Sequence, residues 1–287
     1  MNPKLKFIIS MLIYGSLGLF VTRLSIPTSQ IVFVRAVLGC LALFLVLLTT
    51  GKIKNHISFG NFILLLFIGA LIGVNWLLLF DAYRYTYVST ATLIYYTQPI
   101  FLIMLSCLFL REELTKRKII GMLLAIIGML LVNGVQVGGS NPKHGFILSI
   151  SSAIIYAFVV FLNKACKSLK KVDGLVLTDV QLFGAALVMG FYTFTNGYNG
   201  ELTHLDKQSI IVLLILGIVH SALAYYLYFT SMKHIDSQSV AVLGYIDPVS
   251  AVLFSFFFLN EKLSILQWIG AALVLGGALY SQIKSQK

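Results

Sequence analysis

The sequence predicts an all-α membrane protein whose ten transmembrane helices form two inverted five-helix repeats. Three observations predict it. The 287 residues are 59% hydrophobic and only 11% charged, with a mean hydropathy of +0.93, whereas a water-soluble globule carries roughly 25% charged residues. Ten apolar stretches, at 5–22, 30–50, 61–81, 88–110, 118–136, 144–163, 175–195, 209–231, 237–259 and 264–282, approach the ~20 residues a helix needs to cross a bilayer. Residues 88–129 also recur without a gap at 237–278.

The stretches are apolar on both parities rather than alternating, which excludes the strands of a membrane barrel and leaves helices. The first stretch follows Lys4 and Lys6 and could pass for a signal peptide. It has no small-x-small cleavage site, and its loss would break the repeat, so it is expected to stay as the first helix. The fifth and sixth stretches are cleanly parted by "QVGGSNPKH". The seventh, which opens with Thr178, Asp179 and Gln181, is the weakest span.

The net charge of +11 is distributed as orientation, not as a nucleic-acid footprint. With the N-terminus inside, fifteen of the 21 Lys and Arg fall in inner segments and five in outer ones, with Arg35 inside a span. That bias places both termini in the cytoplasm of a cell whose inner membrane holds the chain. Cys40, Cys107 and Cys166 are odd in number and far apart, so they read as apolar fillers rather than a disulfide or zinc set.

In the repeat, eleven of 42 aligned positions are identical, among them Tyr96/Tyr245, Pro99/Pro248, Glu112/Glu261, Gly121/Gly270 and Gly128/Gly277. Shared Pro, Glu and Gly are informative, because a common apolar bias does not generate them. The expected units are 1–137 and 144–287 around a linker at 138–143. Five spans per unit is odd, so the second unit must lie upside down relative to the first. Such inverted repeats belong to secondary transporters, whose site lies near the midplane at the repeat interface.

Pro99 and Pro248 each fall about 11 residues into their spans, roughly 16 Å deep, from opposite faces. Each lacks an N–H and crowds the carbonyl four residues back, at Tyr95 and Gly244. A carbonyl so freed is tolerated in the membrane only where it faces protein, water or a ligand. Two broken helices beside a cavity are therefore expected, with paired structural kinks as the plainer alternative.

Beside those prolines stand Gln98 and Asp247. A carboxylate near the bilayer centre costs several kcal/mol unless neutralised, paired or hydrated. Asp247 is thus a candidate proton carrier, a cavity-lining group, or one end of an interhelical hydrogen bond. Asn75, Trp76 and His220 are also deep, as are Tyr14, Tyr95, Tyr96, Tyr156, Tyr225, Tyr226 and Tyr245, which lie beyond the interfacial aromatic belt. Rings with polar tips suit an amphipathic organic solute or a cation; ordinary packing is the alternative for any one of them. Arg35 is expected to snorkel outward, to pair with Asp81 or Asp179, or to attract an anionic group. Asp81 and Arg84 are expected to pair at i, i+3. "GALIG" (69–73), Gly121, Gly128, Gly270 and Gly277 permit close helix approach, within the chain or at a homodimer seam. Glu112 and Glu261 are expected to end helices at the membrane surface.

No GxSxG, HExxH or P-loop occurs, and the histidines lack metal spacing, so neither an enzyme nor a metal or cofactor site is expected. "YYTQPIF…LFLREELTKRKIIGMLLAIIGMLLV" and "GYIDPVS…FFLNEKLSILQWIGAALVLGGALY" resemble the ten-helix EamA-domain form of the drug/metabolite transporter superfamily. Its pattern is Gln-Pro or Glu-Pro, then Phe-Leu-x-Glu, then a Gly-rich last helix, once per half. "FDAYRYTYVSTATL" resembles the lead-in to its fourth helix. The second half departs in having Asp247 where Glu is usual, and in Lys262. The resemblance implies export, or sometimes uptake, of small metabolites, amino acids or drugs through a cavity formed by helices one, three, four, six, eight and nine. A small-molecule solute and the lipid bilayer are the expected partners. An uncoupled facilitator is the rival reading, and a membrane-embedded enzyme or a scaffold subunit the rival from another class.

Overall fold

Helix starts are written into this chain as Asn, Ser and Asp. A computed structural model describes residues 2–52, 57–133, 139–196, 202, 205–259 and 264–282. In it the side chains of Asn2, Ser58, Asn141, Asp173, Asp206 and Asp236 each accept from a backbone N–H in the following turn. Such caps satisfy donors that the helix cannot. Pro3, Pro99 and Pro142 stand in first turns, where the missing N–H costs nothing.

The helices are α1 (Pro3–Gly15), α2 (Leu17–Val21), α3 (Thr28–Thr49), α4 (Phe59–Tyr85), α5 (Val88–Tyr95), α6 (Gln98–Leu110), α7 (Lys116–Asn133), α8 (Pro142–Ala165), α9 (Gly174–Thr195), α10 (Lys207–Ile215), α11 (Ala224–Met232), α12 (Ser237–Leu243), α13 (Ile246–Leu259) and α14 (Ile265–Gln282). No strand occurs among the described residues. A π-helical segment, Leu216–Leu223, joins α10 to α11, and a 3₁₀ turn, Lys167–Lys171, follows α8. Eight stretches are long and apolar enough to cross a membrane; Ile265–Ser281 is a shorter apolar helix. The protein is therefore a multi-pass helical membrane protein. The remaining helix, α7, opens on Lys116, Arg117 and Lys118.

Among the described residues, the contacts near helix ends gather at two ends of the bundle. At one end Lys52 pairs with Asp173 at 3.1 Å, Lys233 donates to the carbonyls of Leu169 and Val172, and Lys164 to those of Met232 and Ile235. There Arg111 adopts a left-handed conformation (φ 54°) that stops α6. Glu112 then reaches the N-terminus of α12, accepting from the Ser237 N–H at 3.1 Å and its hydroxyl at 2.8 Å. At the other end Asn141 N–H donates to the Tyr85 carbonyl at 3.1 Å, the Ser140 hydroxyl donates to the Arg84 carbonyl, and Arg84 sits 3.5 Å from Asp81. Glu261, Lys262, Lys54, Lys284, Lys287, His56 and His204 lie outside the described residues.

Glycines set the seams. A Cβ on Gly121 would lie 2.6 Å from the Gly277 oxygen, and one on Gly270 would lie 2.6 Å from the Gly128 oxygen. These two contacts run α7 and α14 antiparallel. Gly69 and Gly73 bring α4 onto α9 at Gln181 and Val188. The small residues thus serve seams within the chain. The polar start of α9 also turns inward: Thr178 bonds back to the Gly174 carbonyl, and Gln181 donates to Asn163 at 2.8 Å.

Gly277→Val, overpacking the α7–α14 seam, is expected to cost about 1–3 kcal/mol in thermal unfolding in detergent. Gly276→Val, where a Cβ meets nothing, serves as the control. At the bundle end, burial works against the charge of Asp236, but Lys118 at 2.5 Å and the Ser239 hydroxyl and N–H hold its carboxyl below the usual range. A depressed carboxyl adds stability above its unfolded value of about 3.9 and loses it as pH falls through the folded one. Lys118→Met is expected to lower the unfolding midpoint at pH 7, by a difference that begins to shrink only as pH falls below about 4. A difference that stays undiminished down to about pH 2 would remove the ion pair as its source.

Candidate functional site

Two helices are interrupted on the N-terminal side of their prolines. α5 stops at Tyr95; Thr97 N–H closes a tighter turn on the Ile94 carbonyl at 3.0 Å, and α6 resumes at Gln98 with Pro99 in its first turn. α12 stops at Leu243; Tyr245 N–H bonds the Val242 carbonyl at 3.3 Å, and α13 resumes at Ile246 with Pro248 in its first turn. The interruptions meet, because the Tyr245 hydroxyl donates to the Tyr96 carbonyl at 3.1 Å. Gly15 lets α1 approach α13 at the same level: a Cβ there would lie 2.7 Å from the Asp247 carbonyl oxygen.

A cavity of about 70 Å³ lies against these breaks, lined by Gln98, Pro99, Gly244 and Asp247 and by Tyr14, Tyr95, Tyr156 and Tyr228. Phe7, Met11, Leu102, Ala157, Val160, Val240 and Ala241 complete the wall. At roughly 10–15 Å³ per water, it has room for a few waters in this conformation. The Tyr14 hydroxyl and Gln98 Oε1 are buried without a hydrogen-bond partner. The Tyr96 hydroxyl bonds the Asp247 carboxyl. Polar capacity is therefore directed at a space that a solute or water would occupy.

The rings form a continuous belt. Tyr14 meets Tyr225 edge-on at 5.3 Å and Tyr228 at 6.2 Å. Tyr228 hydrogen-bonds Tyr156, which stands 6.1 Å from Tyr95. Such offset and edge-on pairs are the favoured aromatic arrangements.

Of the residues singled out in the sequence, Tyr14, Tyr95, Gln98, Pro99, Tyr156 and Asp247 line the cavity, and the others stand behind it. Tyr96 holds Asp247. Tyr245 packs among Ala125, Met129, Val249 and Val274 with its hydroxyl on the break. Tyr225 supports Tyr14 and accepts from the Trp76 indole. Asn75 is fully buried and bonds both the carbonyl (2.8 Å) and the hydroxyl (2.7 Å) of Ser152, tying α4 to α8. His220 lies in the π-helical segment, its Nε2 3.0 Å from the Ser16 hydroxyl where α1 gives way to α2. Tyr226 faces the start of α9 at Gly174. Pro248 sits beneath Asp247, outside the lining.

Arg35 corrects an expectation. It neither snorkels nor pairs with Asp81 or Asp179; it is 8% exposed, donates to the Ser221 hydroxyl at 3.0 Å and lies 5.6 Å from the Trp76 ring centre. The π-helical turn supplies the reason, since it swings Ser221 toward α3. Tyr228 was missed by sequence reasoning, although it lies three residues from Tyr225 and so shares its helix face.

A multi-pass helical protein with a polar and aromatic cavity at paired helix breaks belongs to the transporter class of membrane architecture. The profile of the EamA-like transporter family matches residues 4–134 and again 143–281. An uncharacterized transporter of Bacillus subtilis, YxxF, is 25% identical, covering 98% of this chain and 90% of its own. An uncharacterized transporter of Archaeoglobus fulgidus is 26% identical over 95% and 93% of the two chains. Protein PecM of Dickeya dadantii is 26% identical over 80% and 76%. A solved crystal structure, 18% identical, shares the fold with a TM-score of 0.86 over 98% of each chain. The chain belongs to the EamA-like transporter family: it is a membrane transporter and not an enzyme.

Because Asn75 bridges two helices rather than facing the cavity, Asn75→Leu is expected to lower stability by about 0.6–2 kcal/mol. Solute affinity, measured by thermal shift with and without ligand, is expected to stay at the parent value.

Proposed function

We propose that this protein is a secondary transporter that carries small organic solutes, amino acids or related metabolites, across the cytoplasmic membrane by alternating access, in the direction of export. The carrying observation is the meeting of two interrupted helices, one presenting Gln98 and the other Asp247, at one cavity. Broken helices next to a midplane site are the hallmark of secondary transporters.

The architecture proposed with it has ten spans: five from 1–137, a linker at 138–143, and five from 144–287 lying upside down. Three features support this reading. The contacts near helix ends gather at two bundle ends. The Gly121–Gly277 and Gly270–Gly128 contacts exchange with each other under the offset of the repeat. Tyr96 and Tyr245, which are equivalent positions of the repeat, touch one another. The end carrying Lys52, Lys118, Lys164, Lys167, Lys170, Lys171 and Lys233 is then cytoplasmic, with both termini. The Glu112–Ser237 and Lys118–Asp236 contacts cross that end, beside a pocket of about 430 Å³ that Glu112 and Asp236 also line. A vestibule of about 510 Å³, lined by Gln30, Leu77, Phe80, Asp81 and Arg84, opens at the other.

The charges favour a zwitterion. Tyr14 is within electrostatic reach of both Arg35 and Asp247. No carboxylate pairs with Arg35 among the described residues. A solute bearing ammonium and carboxylate would meet Asp247 and the rings with one group and Arg35 with the other.

The test is purified protein in liposomes, challenged with amino acids and organic cations with and without a pH gradient. The expected result is flux of a zwitterionic solute driven by the gradient. Asp247→Asn is expected to cut the driven flux at least tenfold, equal to ~1.4 kcal/mol, while sparing solute exchange. Flux that ignores pH and survives Asp247→Asn would make the protein a facilitator. Silence across the whole panel would overturn solute transport as its role.

A further inference from the structure

Asp179 is a charge that the central cavity does not use. It lies five residues beyond Gly174, roughly 8 Å along α9, in a separate crevice of about 470 Å³ between α3, α4 and α9. The crevice opens outward among lipid-facing side chains: Leu41, Phe44, Phe183 and Leu187 are 52, 41, 43 and 50% exposed. Its walls carry four phenylalanines, Phe33, Phe44, Phe62 and Phe183. The Cys40 thiol lies beside the Asp179 carboxyl, whose Oδ1 is buried with no hydrogen-bond partner. No Lys or Arg pairs with it among the described residues, since Arg35 is turned toward Ser221.

A membrane carboxyl of this kind is stable only when a proton or a cation neutralises it. The crevice has the size of a small-molecule pocket, and phenylalanine faces attract an ammonium group. We propose that it is a lateral binding site for a lipophilic ammonium amphiphile, a single alkyl chain with an ammonium head, entering from the bilayer. The head sits between Asp179 and the rings, and the chain lies along Val37, Leu41 and Leu187. An ammonium phospholipid fits less well, because its phosphate would find no cation among the crevice residues. This site stands apart from the solute pathway and does not depend on it.

A fluorescent hydrophobic carbodiimide, which partitions into lipid and adds to a protonated carboxyl, tests the site in proteoliposomes of phosphatidylglycerol. The readout is the adduct on the Asp179 peptide, located by mass spectrometry. The adduct is expected in the parent and absent in Asp179→Asn. Dodecyltrimethylammonium is expected to suppress it at least fivefold and dodecanol to leave it unchanged, while Phe44→Leu weakens the protection by about two- to fivefold. No adduct at Asp179, or equal protection by dodecanol, would overturn the proposal. So would loss of the adduct on adding phosphatidylethanolamine alone, which would make the crevice a lipid site.

Discussion

Inside a bilayer a backbone carbonyl or N–H has no water to turn to, so each must be answered from within the chain. The two helix interruptions are where this constraint bites. At the first, the Thr97 hydroxyl bonds the Ile94 carbonyl at 2.6 Å, and the Tyr96 carbonyl is answered by Tyr245 from the other break. At the second, the Ser250 hydroxyl bonds the carbonyl of Asp247 at 2.8 Å. The first break is thus answered in part by the second, and the second within its own helix. Their meeting also opens a place where unpartnered polar groups, the Tyr14 hydroxyl and Gln98 Oε1, face free volume.

The seams around that meeting point differ in kind. α7 against α14, and α4 against α9, are joined backbone to backbone at glycines, which leaves little freedom for sliding. Of the half-helices, α13 meets α1 at Gly15, while α5, α6 and α12 instead meet their neighbours through tyrosines and short aliphatic side chains. These contacts can be exchanged one ring at a time. Motion that enlarges the cavity is therefore expected of the half-helices, with the glycine seams as the frame, and the ties at Ser237 and Asp236 hold it at one end.

Arg35, Asp179 and Asp247 lie well inside the spans without a partner of opposite sign among the described residues. Each has found a polar or aromatic neighbour: Arg35 has Ser221 and the Trp76 ring, Asp179 has Cys40, and Asp247 has Tyr96. Neighbours of that sort soften the desolvation of a charge without cancelling it. A residual field at a membrane site is what a charged ligand can exploit, and the two carboxyls face different volumes.

The helical class, the places of most spans and both interruptions were legible in the sequence, because length, apolarity and proline act locally. Proline removes its own N–H whatever surrounds it, and twenty apolar residues cross lipid whatever their neighbours. The caps at Asn2, Ser58, Asn141, Asp173, Asp206 and Asp236 are equally local, each bonding within one turn, although sequence reasoning did not single them out. What the tertiary structure alone decided is the direction in which each polar side chain points. Asn75 turned to Ser152, His220 to Ser16 and Arg35 to Ser221, partners 77, 204 and 186 residues away. Those choices follow from helix rotation, which a span apolar on every face leaves undetermined, and from a π-helical turn that shifts the register of one helix. Tyr228 rather than Tyr245 reaches the cavity for the same reason: depth is written along the chain, while facing is set only when the helices pack.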